Sequence, residues 1–143
     1  MSLDTLVRCS ALGTAVGLRS SWALAGPTLT GDTGAGTRLA AVLALAGETA
    51  ADKHPSVPDR LGLVGLPPRL LAGAAAAFTL ARRVHATPPL PIVAGVVGAL
   101  AGAVAGTWWR SWAGKRMPDW QAALVEDAVA AALALGACRG TAG

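Results

Sequence analysis

The feature that most constrains this sequence is an uncharged, apolar run from Pro88 to Trp109. About 20 apolar residues in a helix cross the roughly 30 Å hydrocarbon core of a bilayer, and this run is long enough. It begins with prolines, which suit the first turn of a helix because that turn has N–H groups without helical partners. It ends with tryptophans, which are enriched at membrane interfaces. The run therefore predicts a transmembrane helix.

Four further segments are apolar but contain charged residues. They cover residues 6–29, 38–52, 61–81 and 120–138. The composition agrees with a membrane protein, since 53% of the 143 residues are hydrophobic and 14% are charged. Ordinary soluble domains have about 25% charged residues. We predict an all-α membrane protein that forms a single domain over residues 1–143, with about five short transmembrane or re-entrant helices.

The first segment has the outline of a signal peptide, because Arg8 precedes an apolar stretch. Arg19 interrupts that stretch and no clean small-residue cleavage site follows, so we predict a retained membrane segment. Five spans would place the two termini, and with them Cys9 and Cys138, on opposite sides of the membrane. Basic residues between the apolar segments favour contacts with lipid headgroups over nucleic acid. We expect a multi-pass protein of the bacterial inner (plasma) membrane.

The two halves of the chain share a motif of spaced glycines followed by arginine, serine and tryptophan. The glycine motifs and their arginines are Gly13-x-x-x-Gly17 with Arg19, and Gly102-x-x-x-Gly106 with Arg110. Halves at residues 6–55 and 88–138 are separated by a single predicted helix, which inverts the second half relative to the first. We therefore predict an inverted-topology repeat. Many transporters contain such repeats and have their binding sites at the interface between the two halves. The alternative is a chance match in a chain rich in alanine and glycine.

Glycines at four-residue spacing predict close packing of helices. Gly98, Gly102 and Gly106 share one face of a predicted helix, and Gly13 and Gly17 share a face of another. Because glycine has no Cβ atom, the backbone of a second helix can approach closely, which favours association in lipid. The motif indicates packing and carries no information about a bound solute.

Charged residues inside the apolar segments or at their ends form the candidate binding site. They are Arg19, Glu48, Asp52, Arg110, Glu126 and Asp127. A charge at membrane depth costs at least about 2.5–3.5 kcal/mol on insertion scales, so such residues pair or line a wet cavity. In the functional interpretation, the arginines bind an anionic group and the carboxylates hold protons or cations. In the structural interpretation, the same residues form fixed ion pairs or extend toward the interface.

Motifs of enzymatic catalysis are absent from the sequence, including GxSxG, the P-loop and HExxH. The two cysteines form no CxxC motif and no Cys/His cluster with metal-binding spacing. We therefore expect no catalytic residue, no metal and no cofactor. An enzyme that acts on a lipid is a third alternative, and it lacks a nucleophile–base pair.

The charged motifs also resemble a known family. The matching stretches are Glu48-x-x-x-Asp52-Lys53-x-Pro55, Leu124-Val125-Glu126-Asp127, Gly17-Leu18-Arg19, Arg69 and the run from Gly102 to Arg110. Together they extend over nearly the whole chain and are similar to the small bacterial membrane proteins grouped as domain of unknown function 4126. The resemblance implies a single-domain helical membrane protein and brings no activity with it.

The charged residues lead us to expect a small transporter or channel for an ion or a small polar or anionic solute. We also expect a homo-oligomer, because a bundle of this size encloses little interior of its own, and contacts with membrane lipids. The alternative is a non-transporting membrane scaffold or lipid-binding protein. In that case the protein produces no flux, and charge-neutralising mutations change only its stability or assembly.

Overall fold

A computed structural model describes residues 2–31, 34–51 and 61–140, and every regular element in these ranges is an α-helix. The helices are α1 (Leu3–Leu18), α2 (Trp22–Thr30), α3 (Ala35–Ala51), α4 (Leu66–Arg83), α5 (Pro89–Ala113) and α6 (Asp119–Cys138). The prediction of an all-α chain is confirmed. Two of these helices, α5 and α6, are long and apolar enough to cross a membrane, with mean hydropathies of 1.9 and 1.4. The sequence predicts about five membrane-spanning or re-entrant helices, and among the described residues only these two are long and apolar enough to span a membrane.

The other helices differ from α5 and α6 in length or in charge. α1, α2 and α3 have 16, 9 and 17 residues, which is at most about 26 Å at about 1.5 Å per residue. α4 has 18 residues, but prolines occupy its first turn and Arg82 and Arg83 its last. Apolar composition alone therefore overstates the number of full-length spans.

The first predicted segment is divided into two helices at Arg19. This residue has an extended backbone, with φ −141° and ψ 118°, although its N–H still binds the Ala15 carbonyl oxygen at 2.8 Å. After the turn, α2 runs back along α1, since Gly26 lies against Leu12 and Cys138. The single span predicted over residues 6–29 is therefore wrong, and α2 reverses the chain once more than expected.

Helix α1 packs against α4, α5 and α6. Near its start, Arg8 Nη1 binds the Arg139 carbonyl oxygen at 2.6 Å, and Cys9 Sγ lies 3.8 Å from the Ala77 carbonyl oxygen in α4. The residues that follow α1 contact the first halves of α4 and α6, so both helices are antiparallel to α1. The described ends of the chain thus lie together, and Cys9 and Cys138 belong to one buried cluster. The predicted separation of the termini and of the two cysteines is wrong, because α2 adds a reversal.

Glycines bring α1 and α5 together, backbone against backbone. The predicted packing glycines in this interface are Gly13, Gly17, Gly98 and Gly102. A Cβ atom on Gly13 would lie 2.1 Å from the Gly95 oxygen, which no real Cβ contact allows. Gly106 is buried further along α5. Residues without a side chain therefore set the distance between these two helices.

The same contacts show that α1 and α5 are parallel. Ser10 meets Gly98, and Thr14 meets Gly102, four residues later on each helix. An inverted repeat requires the two equivalent helices to be antiparallel. The inverted relation predicted between residues 6–55 and 88–138 is therefore wrong for the helices that begin its halves. The physical reason is again the reversal of the chain by α2.

Many large apolar side chains lie on the outside of this bundle and small ones fill much of its inside, which is the reverse of the arrangement in a water-soluble bundle. The buried apolar residues of the described chain are mostly alanines, and they are joined by buried glycines. Many leucine, valine and tryptophan side chains are exposed instead; examples are Leu71, Val97, Val104, Trp108 and Leu124. In water, burial of these larger side chains would stabilise the fold most. The bundle therefore presents its bulky apolar residues to its surroundings.

Candidate functional site

The charged candidates meet at the end of the bundle where α1 ends and α6 begins. Arg19 is 3% exposed, and its Nε donates to the Asp127 Oδ1 atom of α6. Because Arg19 is the residue at which α1 stops, the ion pair joins the break in the chain to a continuous helix. The residue whose extended backbone ends α1 is thus also the residue whose side chain binds α6.

Arg110, in the last turn of α5, makes a second set of ion pairs. Its Nε donates to Glu126 Oε2 at 2.6 Å, and its Nη1 donates to Asp119 Oδ1 at 3.0 Å. The Glu126 side chain is 1% exposed, whereas that of Asp119 is 82% exposed. One guanidinium group therefore links a buried carboxylate to a solvated one and ties the end of α5 to α6.

Glu126 and Asp127 are neighbours in sequence but serve different helices. Successive residues of an α-helix point about 100° apart, so Glu126 meets Arg110 of α5 while Asp127 meets Arg19 after α1. Each of the two adjacent carboxylates thus pairs with an arginine of a different part of the bundle. The structure brings together four of the six residues predicted to bind a solute.

A further arginine, Arg69 of α4, lies at the same end of the bundle. It is 9% exposed, and its Nη1 donates to Ser20 Oγ at 2.7 Å. Ser20 belongs to the turn between α1 and α2, so Arg69 helps to hold that turn. In the sequence, Arg69 is named among the residues of the family resemblance but is not included in the candidate binding site. The usable signal was an arginine directly after Pro67 and Pro68, inside a predicted membrane helix.

The ion pairs have the geometry that the structural interpretation requires. An ionised group at membrane depth is costly, and a partner within hydrogen-bond distance offsets that cost. Removing one member of a buried pair leaves an uncompensated charge and costs about 3–5 kcal/mol. A solute ion that bound to these side chains would compete with the partners that they already have.

Beside these pairs lies a cavity of about 350 Å³ between α1, α5 and α6. Its wall is mainly apolar and includes Leu18, Trp108, Trp109, Val129 and Leu133, together with the carboxylate-bearing Glu126. Val129 and Trp108 are also exposed, at 47% and 67%. The cavity is therefore a cleft that opens toward the surroundings of the bundle.

Tryptophans form the end of this cleft that lies nearest the α5–α6 turn. Trp109 Nε1 donates to the Ala122 carbonyl oxygen of α6 at 3.0 Å. The rings of Trp109 and Trp112 are stacked, with centroids 5.5 Å apart and an interplanar angle of 27°. The indole that closes the cleft is thus held by a hydrogen bond on one side and by a ring on the other.

Two of the predicted site residues cannot be placed. The side chain of Glu48 and the whole of Asp52 lie outside the described residues. Among the residues that the structure describes, no three His, Cys, Asp or Glu side chains are grouped so that they could hold a metal ion. The charged site as seen consists of the arginine–carboxylate pairs between α1, α5 and α6.

Comparisons with known proteins add no relative to this description. No family model matches the chain, no curated protein matches it, and no solved structure is similar to it. The ion pairs, the cleft and the distribution of apolar side chains are therefore the features that bear on function.

Proposed function

We propose that this chain is a multi-pass protein of a bacterial inner membrane. The outward placement of its large apolar side chains over a core of alanine and glycine supports this proposal. Helices α5 and α6 serve as full-length spans, and the shorter helices pack beside them in a locally thinned bilayer. The chain should stay in the membrane fraction after an alkaline carbonate wash. Its release into the supernatant, or a monodisperse chain in buffer without detergent, would contradict the proposal.

Within the membrane, we propose a lipid-binding role without transport. The single observation that carries this proposal is the apolar cleft between α1, α5 and α6, adjacent to charges that already have partners. Ligand sites typically enclose about 300–1,000 Å³ and are lined mainly by apolar side chains with a few polar groups. The cleft has that size and that lining, and an acyl chain matches it better than a hydrated ion.

A substitution that fills the cleft tests the lipid-binding role. Ala105 lines the cleft on α5, and the variant Ala105→Phe should exclude an acyl chain from it. Ala128 is exposed on α6, and Ala128→Phe adds the same volume on a neighbouring face as a matched control. We expect native mass spectrometry to show lipid retained by the control and lost by Ala105→Phe. Equal retention by both variants would overturn the proposal.

Transport is the second candidate function, and Glu126 favours it. This carboxylate lines the cleft and accepts from Arg110 Nε at 2.6 Å, so an ion pair stands directly beside the apolar wall of the cleft. In proteoliposomes, this function predicts an anion or proton flux that Glu126→Gln abolishes. Absence of flux for the unmodified chain, with lipid retained, leaves the lipid-binding role as the function.

Two further expectations also stand as proposals. We propose membership of the domain of unknown function 4126 family, supported by the charged motifs and by the helical architecture. We also propose a homo-oligomer, because a bundle of this size encloses little interior of its own and α3 packs mainly on α2. The mass of the detergent-purified chain, measured by light scattering, tests the second proposal, and a monomeric mass would refute it.

A further inference from the structure

We infer that the cleft takes an anionic phospholipid, with an acyl chain between α5 and α6 and the phosphate at the turn that joins them. This inference rests on the proposed lipid-binding role and names the class of lipid. The turn, residues 114–118, is here called the basic turn, because Lys115 and Arg116 are exposed in it. Three observations support the assignment, and each concerns the path from the basic turn to the cleft.

The first observation is a continuous series of contacts from a cation to the cleft wall. The Arg116 guanidinium carbon lies 4.3 Å from the centroid of the Trp112 ring, and Arg116 Nη1 donates to the Trp112 carbonyl oxygen at 3.2 Å. Trp112 in turn stacks on Trp109, which lines the cleft. The cation and the apolar wall are therefore held in a fixed relation, as binding of one amphiphilic molecule requires.

The second observation is the direction of the cleft. Its lining on α6 runs from Val125, near the basic turn, to Leu133 deeper in the bundle, a rise of about 12 Å at about 1.5 Å per residue. Tryptophans stand at the end near the turn, and tryptophan is enriched at membrane interfaces. An acyl chain that follows this path from the interface leaves its headgroup beside the basic turn.

The third observation is the charge that an entering headgroup meets. Arg110 is already bound to Glu126 and Asp119, and Asp119 is the carboxylate nearest in sequence to the basic turn. Lys115 and Arg116 therefore supply positive charge without disturbing the ion pairs. Juxtamembrane basic residues attract anionic lipids, and guanidinium groups bind phosphate oxygens strongly.

Native mass spectrometry of the full chain, exchanged into an equimolar mixture of phosphatidylglycerol and phosphatidylcholine, tests the inference. We expect phosphatidylglycerol to be retained in preference to phosphatidylcholine by roughly 30-fold, because each of two basic residues contributes about 1 kcal/mol toward an anionic lipid. The variant Lys115→Gln/Arg116→Gln should bring the two lipids to near parity. The control Arg82→Gln/Arg139→Gln removes two exposed cations at the opposite end of the bundle and should keep the preference.

The outcomes separate the inference from the proposed function. Equal retention of both lipids by the unmodified chain, with loss of both in Ala105→Phe, overturns the headgroup assignment and leaves the lipid-binding role standing. Retention that Ala105→Phe does not reduce overturns both. Quenching of tryptophan fluorescence by phosphatidylglycerol brominated in its acyl chains should exceed quenching by the phosphatidylcholine analogue. If the chain binds no lipid and forms a dimer that covers the cleft, a second copy of the chain occupies the cleft and the inference is overturned.

Discussion

Arg19 forms an ion pair with Asp127, although the two residues are separated by 108 positions in sequence. The pair is located where α1 ends, so it stabilises a helix terminus and an interhelical contact together. The Arg19 side chain is buried in this pair, so we assign Asp127 first of all a structural role. The consequences for stability, packing and topology can each be measured.

Asp127→Ala should lower the free energy of unfolding by about 3 kcal/mol, because it removes a carboxylate that pairs with the buried Arg19 guanidinium. Thermal or SDS-induced unfolding of the detergent-purified chain measures the change. Asp4→Ala is the matched control, since Asp4 pairs with Arg8 but its side chain is 68% exposed. An exposed pair of this kind contributes roughly 0.5 kcal/mol or less. Similar losses in the two variants would show that the Arg19 pair is not structural.

The two carboxylates bound by Arg110 should differ in their contributions to stability. Glu126→Ala removes the partner that is buried, and we expect a loss of about 3 kcal/mol. Asp119→Ala removes the solvated partner, and we expect a loss of roughly 1 kcal/mol or less because water screens the pair. The same unfolding measurement compares them. A larger effect at Asp119 would contradict the assigned burial.

Gly98→Ala should separate α1 from α5, because the new Cβ atom would lie 2.2 Å from the Ser10 carbonyl oxygen. We expect a large loss of stability, on the order of 2 kcal/mol or more, from displacement of the packed backbones. Gly136→Ala is the control, since a Cβ at that position has no neighbour within 4 Å. There the higher helix propensity of alanine should leave the chain unchanged or more stable by up to about 1 kcal/mol. Equal losses would contradict the packing role of Gly98.

Both termini should lie on the same side of the membrane, because Arg8 contacts the Arg139 backbone at one end of the bundle. Reporters fused to each end, green fluorescent protein for the cytoplasmic side and alkaline phosphatase for the periplasmic side, measure this orientation. The N-terminal and C-terminal fusions should be active with the same reporter. Activity with opposite reporters would restore the five-span topology and refute the bundle direction described above.

The apolar character of the chain and the helical type of its elements follow from the sequence alone. The uncharged run from Pro88 to Trp109 coincides with most of α5, and the spacing of Gly13, Gly17, Gly98 and Gly102 predicted the residues at which backbones touch. Such properties are local, because an apolar period and the absence of a Cβ atom can be read from neighbouring residues.

Tertiary structure decided the direction of α2, the partner of each charge and the cleft. The sequence marks Arg19 as an interruption, but its partner Asp127 lies 108 positions away, and no local pattern identifies that partner or shows that the chain reverses at Arg19. Likewise, Glu126 and Asp127 have the same chemistry, and only the rotation of about 100° between them assigns one to α5 and the other to α1. Helix direction and charge pairing depend on which faces meet across the whole bundle, and for that reason local periodicity leaves them open.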